Sequence, residues 1–250
     1  MAVWAIGDLH LSFGVSDKEM DVFGVQWKNY TEKIEYHWRS LIAHDDLVLI
    51  PGDISWGMRI EDARPDLAWI GGLPGTKVMI KGNHDYWWSS LSKIKTILPP
   101  SCHLIQNNSW SWQGIAIGGT RLWDIPGLNF HAIIDFKENE RCKKPLTESD
   151  NSIESEKIYQ RELGRLETSL KSMDRLSKTR IVMTHYPPIG AGLEETDVSR
   201  LLEKYKVDIC LFGHLHNVKR GLKLFGDHRG VTYHLTSCDY LEDFKPLRIY

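Results

Sequence analysis

The segment Val3-Trp4-Ala5-Ile6-Gly7-Asp8-Leu9-His10 decides how the rest of the chain is read. Its first half is a continuous apolar run, the pattern of a strand covered on both faces. Its second half breaks into a glycine followed by an oxygen donor and an imidazole two positions apart. The same succession recurs along the chain. Residues 47–50 run into Pro51-Gly52-Asp53, and 77–80 into Gly82-Asn83-His84-Asp85. Residues 180–184 run into His185, and 209–212 into Gly213-His214-Leu215-His216. Two more strand-like runs lie at 115–118 and 233–236. Five strands thus end in ligand-type side chains, at the place where open α/β sheets bind things, just outside the carboxyl ends of strands.

Helical stripes lie between several of these runs. Trp27, Tyr30, Ile34, Trp38 and Leu41 share one face, as do Leu91, Ile94 and Leu98. Leu163, Leu166, Leu170 and Met173 form a third stripe, read as a core-facing helix. Strands alternating with helices predict an α/β protein. No linker or repeat divides residues 1–250, so a single domain is expected. Residues 121–150 lack periodicity and are read as a surface loop or flap.

Composition narrows the class. The chain has 250 residues, 42% hydrophobic and 26% charged, with a net charge of −2. A chain of this length buries roughly three-quarters of its unfolded surface and needs no disulfides to hold a core. It is too apolar for a disordered protein. The balanced charge argues against stable nucleic-acid binding, which leaves a basic footprint. No apolar run approaches the roughly 20 residues that span a bilayer, so no membrane insertion is expected. Met1-Ala2-Val3-Trp4 has no basic start before an apolar core, so no secretory leader is expected. Cys102, Cys142, Cys210 and Cys238 are scattered, without metal-knuckle or disulfide spacing, which fits reduced thiols in a cytoplasmic protein. The 11 His and 10 Trp are the unusual feature.

The donor set is carboxylate, amide oxygen and imidazole, with no thiolate. It suits Mn, Fe, Zn, Ni or Co, and carries too many imidazoles for Ca or a lone Mg. Seven donors exceed one tetrahedral ion but suit two ions sharing a carboxylate. Residues i and i+2 on extended backbone point the same way, so Asp8 with His10, and His214 with His216, are each expected to present two ligands to one cavity. The glycines before Asp53, Asn83 and His214 are expected to permit sharp turns. Two-metal sites clamp the attacking and leaving oxygens of a displacement at phosphorus.

Asp8-x-His10, Gly52-Asp53, Gly82-Asn83-His84-Asp85, His185 and Gly213-His214-x-His216 together resemble the five-block signature of the calcineurin-like metallophosphoesterases. The blocks span residues 8 to 216 in the family's order. The resemblance implies a four-layer α/β/β/α sandwich of two mixed sheets flanked by helices. It implies hydrolysis of a phosphodiester or phosphomonoester by a hydroxide bridging two divalent metal ions, manganese foremost. It places Asp8, His10 and His216 on the first metal, and Asn83, His185 and His214 on the second, with Asp53 bridging. His84 would face the scissile phosphate as general acid or electrostatic stabiliser, and Asp85 is a candidate to orient it. The Gly-Asp-x-x-Asp-Arg-Gly block of the protein Ser/Thr phosphatases is absent, since Gly52-Asp53 is followed by Ile54-Ser55-Trp56-Gly57-Met58. That argues against a phosphoprotein substrate and favours a small phosphate ester.

Arg59, Trp56 and Trp87 are the candidates for substrate contact. Arg59 would clamp phosphate, and the tryptophans, with Trp88, would form an aromatic mouth or else pack sheet against helix. Tyr186-Pro187-Pro188 is read as a rigid turn. The other histidines (37, 44, 103, 131, 228 and 234) are read as surface or core residues. Three alternatives stand beside the phosphoesterase: a non-catalytic scaffold on the same fold, a nuclease acting on single strands, and a hydrolase of lipid-linked nucleotides. Retention of His84 and all seven donors weighs against the first. The charge weighs against the second. Against the third stand His84 where the best-known of those hydrolases carry arginine, and the absence of a basic amphipathic helix.

Overall fold

The computed structural model describes residues 1–135 and 152–250. The first sheet sets β1 (Val3–Ala5), β2 (Leu47–Ile50), β3 (Thr76–Met79) and β4 (Cys102–Leu104) side by side in parallel. The second takes β5 (Ser109–Trp112), β6 (Ile115–Thr120), β7 (Thr179–Thr184), β8 (Ile209–Phe212), β9 (Gly226–His228) and β10 (Val231–Leu235), in the order β5-β6-β7-β8-β10-β9. In it β6, β7, β8 and β10 are parallel, and both edges are antiparallel. The chain then returns as β11 (Leu247–Arg248), antiparallel to β1, and completes the first sheet. Both sheets are therefore mixed.

The strand sequences explain the layering. Val3, Ala5, Leu47, Leu49, Val78, Ile117, Ile181, Met183 and Leu211 fill the space between the sheets. Their sequence neighbours point the other way. Trp4, Val48 and Ile50 meet α1 (Tyr30–Leu41) and α2 (Ile60–Gly71) through Ile34, Trp38, Leu67 and Ile70. On the far side, Val182, Cys210 and Phe212 meet α4 (Ser152–Ser172) and α5 (Asp197–Lys204) through Leu166, Leu170, Val198 and Leu202. A short α3 (Leu91–Ile94) tucks Ile94 into the first helical layer. With both faces covered, a strand must be apolar at every position, which is why the runs do not alternate. The order is helix, sheet, sheet, helix.

The stripe that begins at Trp27 starts as a helix only at Tyr30. Trp27 lies in a 3-10 turn, Val25–Trp27, and is buried all the same. Helix α2 escapes the periodicity reading because Pro65 lies within it, where proline normally marks a break. The stretch at 121–135 is irregular apart from a 3-10 turn, His131–Ile133. It does not lie loose on the surface: Leu122 is buried, and Phe130, Ile133 and Ile134 pack on the second helical core. The remainder of the loop, from 136, lies outside the described residues.

The sheets meet at one rim. Gly7, just past β1, bridges in parallel to Ser237, just past β10. Its N–H donates to Thr236 O at 2.7 Å, and its carbonyl accepts from Cys238 N at 3.0 Å. The ligand-type residues gather beside this seam.

Candidate metal centre

The seven predicted donors come from loops leaving β1, β2, β3, β7 and β8, and the fold brings them together. Asp8, His10 and His216 present ligand atoms within 4.8 Å of one another, as do Asp8, Asp53 and His185. Asp53 Oδ2 lies 3.6 Å from His10 Nε2 on one side and 3.4 Å from His185 Nε2 on the other. Asn83 Oδ1 stands 2.5 Å from His185 Nε2 and 3.1 Å from His214 Nδ1. Asp8 is shared, since its Oδ1 is 3.7 Å from His216 Nε2 and 3.9 Å from His185 Nδ1.

The backbone that achieves this is not extended. Asp8, His10, Asp53 and His214 have φ of 54°, 45°, 49° and 71°. Each side chain is aimed by a left-handed residue rather than by strand alternation, at a conformational cost that the surrounding hydrogen bonds must hold. Asp8 N donates to Gly52 O at 3.0 Å and His10 N to Asp53 O at 3.0 Å, so the first two loops lock together. The glycines serve close approach. A Cβ on Gly82 would overlap Asp53 Oδ1, and one on Gly213 would overlap Asp8 Oδ2.

Outer partners fix the rings. His185 Nδ1 faces Pro51 O at 3.0 Å, an acceptor only, so Nδ1 carries the hydrogen and Nε2 turns to Asp53 and Asn83. His216 Nδ1 faces Asp239 Oδ1 at 2.9 Å, turning its Nε2 toward His10 Nε2 at 3.1 Å. Lone pairs of imidazole and carboxylate therefore point at one another across about 3 Å, an arrangement that needs a cation or a proton between them. Without metal, protons take that place. Burial alone would lower His185, but the Asp53 carboxylate overrides it and raises it to about 9. His216 is likewise opposed by burial and lifted by Asp239 to about 9. Burial drives His10 down to about 3 and His214 well below the ordinary value, leaving both as free donors. Burial lifts Asp8 to about 6, while for Asp53 the facing His185 outweighs burial and keeps it ionised. These residues fit divalent metal.

His84 is half-buried beside the donors, its ring centroid 5.7 Å from that of His10 and 4.6 Å from that of Trp56. Its backbone N–H donates to Asp53 Oδ1 at 2.8 Å. Burial lowers its pKa, with Asp53 opposing. Asp85 does not orient it. That carboxylate is buried and accepts from Ile54 N, Ser55 N, Gly82 N and Trp87 Nε1, so it ties the Asp53 loop to the Asn83 loop.

The three candidates for substrate contact separate. Trp56 stacks on His10 at 4.9 Å and lines a cavity of about 280 Å³ with Met20, Phe23, Trp27 and His84. Trp87 is buried, and its indole N–H is used by Asp85 at 2.9 Å, so it packs the core instead of forming a mouth. Arg59 is exposed at the start of α2, where its N–H donates to Asp62 Oδ2 at 2.9 Å, and it does not line this cavity. Sequence reasoning missed Asp239. The signal was present, since Asp239 also follows a strand-like run, at 233–236.

The model of the family described as calcineurin-like phosphoesterase matches residues 1–218. Over 89 residues the chain is 34% identical to the Gene 66 protein of Mycobacterium phage L5, a match covering 33% of this chain and 39% of that protein. The chain thus spans well under half the length of that relative. Among solved structures, it resembles the protein of unknown function AQ665 from Aquifex aeolicus at TM-score 0.50 and 16% identity, over 99% of this chain and 95% of that one. GAP50, the anchor in the inner membrane complex of Plasmodium, aligns at TM-score 0.48 and 11% identity, over 96% of this chain and 72% of that one. With the family model spanning all five donor-bearing loops, the chain belongs to the calcineurin-like phosphoesterases.

Proposed function

We propose that this protein hydrolyses a small phosphate ester in the cytoplasm with two divalent metal ions, Mn²⁺ foremost, and Fe, Zn, Ni or Co able to use the same donors. The observation that carries this reading is Asp53 Oδ2 standing between His10 Nε2 and His185 Nε2, 3.6 and 3.4 Å away. A carboxylate so placed can serve two cations at once. Asp8, His10 and His216 would hold one ion, and Asn83, His185 and His214 the other. When bound, such a pair supplies Lewis-acid charge to the phosphoryl oxygens and acidifies water to near neutral pH.

The chain's own residues supply the rest. His84, held at its backbone by Asp53, faces the substrate phosphate and gives or shares a proton with the departing oxygen. Met20, Phe23, Trp27 and Trp56 wall the adjoining cavity with apolar surface, which supports an aromatic or otherwise apolar ester group. Diester and monoester are separated by experiment. Protein stripped by chelation and reloaded with each metal should cleave bis-p-nitrophenyl phosphate or p-nitrophenyl phosphate, with Mn²⁺ most effective. No turnover of either ester with any of the metals rejects the reading.

A further inference from the structure

A second cavity, of about 330 Å³, opens at the same rim one step along the sheets. Lys81 follows β3, Gln106 and Asn107 follow β4, and Arg121 follows β6; Arg161 and Arg165 reach in from α4. These strands run parallel to those that carry the candidate metal ligands, so the carboxyl ends of all of them face the same way. The two sites share backbone. Lys81 directly precedes Gly82-Asn83, and the Arg121 carbonyl accepts from His185 N at 3.0 Å and Tyr186 N at 3.1 Å. Trp88 and Ser89, from the loop that carries His84, close one side.

Four cationic side chains line this cavity against a single carboxylate, Glu162. That carboxylate is buried and fully engaged. Its Oε1 takes Arg165 Nη1 at 2.5 Å with Arg121 Nη2 at 3.6 Å, and its Oε2 takes the Thr120 hydroxyl at 3.0 Å. One negative charge thus fixes two guanidinium groups in place but balances only one. Lys81 Nζ donates to the Trp88 carbonyl at 3.1 Å. Among the described residues, neither Lys81 nor Arg161 has a carboxylate within 4 Å. Satisfying Glu162 needs Arg165 and Thr120; it does not need Lys81 and Arg161 in the same concavity. Positive groups gathered in a cleft repel each other and focus their field on any anion that enters. Guanidinium forks held by a buried carboxylate match the oxygens of a tetrahedral dianion, and the amides of Gln106 and Asn107 add neutral donors.

We propose that this cavity binds a phosphoryl group other than the one hydrolysed. Only its source depends on the phosphoesterase reading: a second phosphate on the substrate, or free inorganic phosphate held beside the centre. Arg161→Glu, on an exposed side chain, and Arg165→Gln test it. Inorganic phosphate titrated calorimetrically into Mn²⁺-loaded protein should reveal a site that either change weakens about tenfold or more. For Arg161→Glu, melting temperature and bis-p-nitrophenyl phosphate turnover should stay close to wild type, whereas Arg165→Gln, which takes a partner from buried Glu162, should melt lower. Competition against that ester separates the sources. If the substrate supplies the group, adenosine 3′,5′-bisphosphate competes about tenfold better than adenosine 5′-monophosphate, and Arg161→Glu erases the difference. If phosphate binding is lost in the variants while the two nucleotides compete alike, free phosphate is the ligand. Phosphate binding unchanged in both variants overturns the proposal. Failure of the phosphoesterase reading would show instead as no turnover with any metal, and the titration would still decide the cavity.

Discussion

Asp239 grips His216 and its loop at once: Oδ1 lies 2.9 Å from His216 Nδ1, and Oδ2 accepts Asn217 N at 2.9 Å. The carboxylate is buried, yet the His216 ring overrides burial and holds its pKa below the usual range. It fixes the ring's tautomer and directs Nε2 into the centre. Asp239→Asn should therefore lower metal affinity by roughly 10–100-fold, the usual effect of losing such an outer partner. Calorimetric titration of Mn²⁺ measures it, and affinity equal to wild type would show that Asp239 does not tune the ligand.

His84→Ala should leave metal content at the wild-type level and reduce kcat by roughly 10²–10⁴, the range for a positioned acid or base. Metal analysis of the variant beside its turnover of bis-p-nitrophenyl phosphate separates the two effects. A large loss of bound metal would make His84 part of the cage instead.

Trp56→Ala removes the ring stacked on His10 and opens the apolar wall. KM for aryl phosphate esters should rise about fivefold while small alkyl esters change little, as one aromatic contact is worth roughly 1 kcal/mol. Equal effects on both ester classes would assign Trp56 to holding His10.

Gly82→Ala would drive a methyl group into Asp53 Oδ1 and the Asp53 backbone nitrogen. The variant should lose most of its metal, whereas Gly164→Ala, in open space on α4, should be neutral or stabilising. Metal content of the two variants, read side by side, tests the contrast.

Asp66 supplies a pH dependence away from the ligands. It is buried in α2, where it accepts from Phe13 N at 2.8 Å and pairs with the Ser55 hydroxyl, and burial raises its pKa from 3.8 to about 6. The folded state therefore holds this proton more tightly than the unfolded state. Its stabilising contribution is complete below about pH 3.8 and is lost as pH rises to about 6. The loss amounts to roughly 2–3 kcal/mol at 1.36 kcal/mol per unit. Asp66→Asn should gain on wild type by about that amount between pH 4 and 8 in denaturant melts. A difference flat across that range would mean that Asp66 stays ionised in the folded state.

What could be read in the sequence was whatever depends on local order. Strands buried on both faces announce themselves as unbroken apolar runs, and donors that follow them need only the chain direction to be placed at one rim. Pairwise aim could not be read so. The alternation argument for Asp8 with His10 fails because both residues sit at positive φ, a conformation held by the hydrogen bonds they donate to the carbonyls of Gly52 and Asp53 far along the chain. Trp87 and Trp88 likewise look alike in sequence. Only the tertiary fold sends the indole N–H of Trp87 to Asp85 and that of Trp88 to Gln106. The cationic cavity draws on β3, β4, β6 and α4, and no short motif joins these.

The donors divide between the two halves of the sandwich: Asp8, His10, Asp53 and Asn83 leave the first sheet, whereas His185, His214 and His216 leave the second. An ion seated there is a rivet through both plates, and the backbone bridge from Gly7 to Ser237 is the hinge pin beside it. Loading the centre should thus toughen the whole sandwich, because a ligand that binds only the assembled form stabilises it by an amount that grows with the logarithm of one plus its concentration over its Kd. On the proposed reading, starving the protein of metal would do double harm, stopping the hydrolysis and loosening the joint that brings the donors within reach of one another.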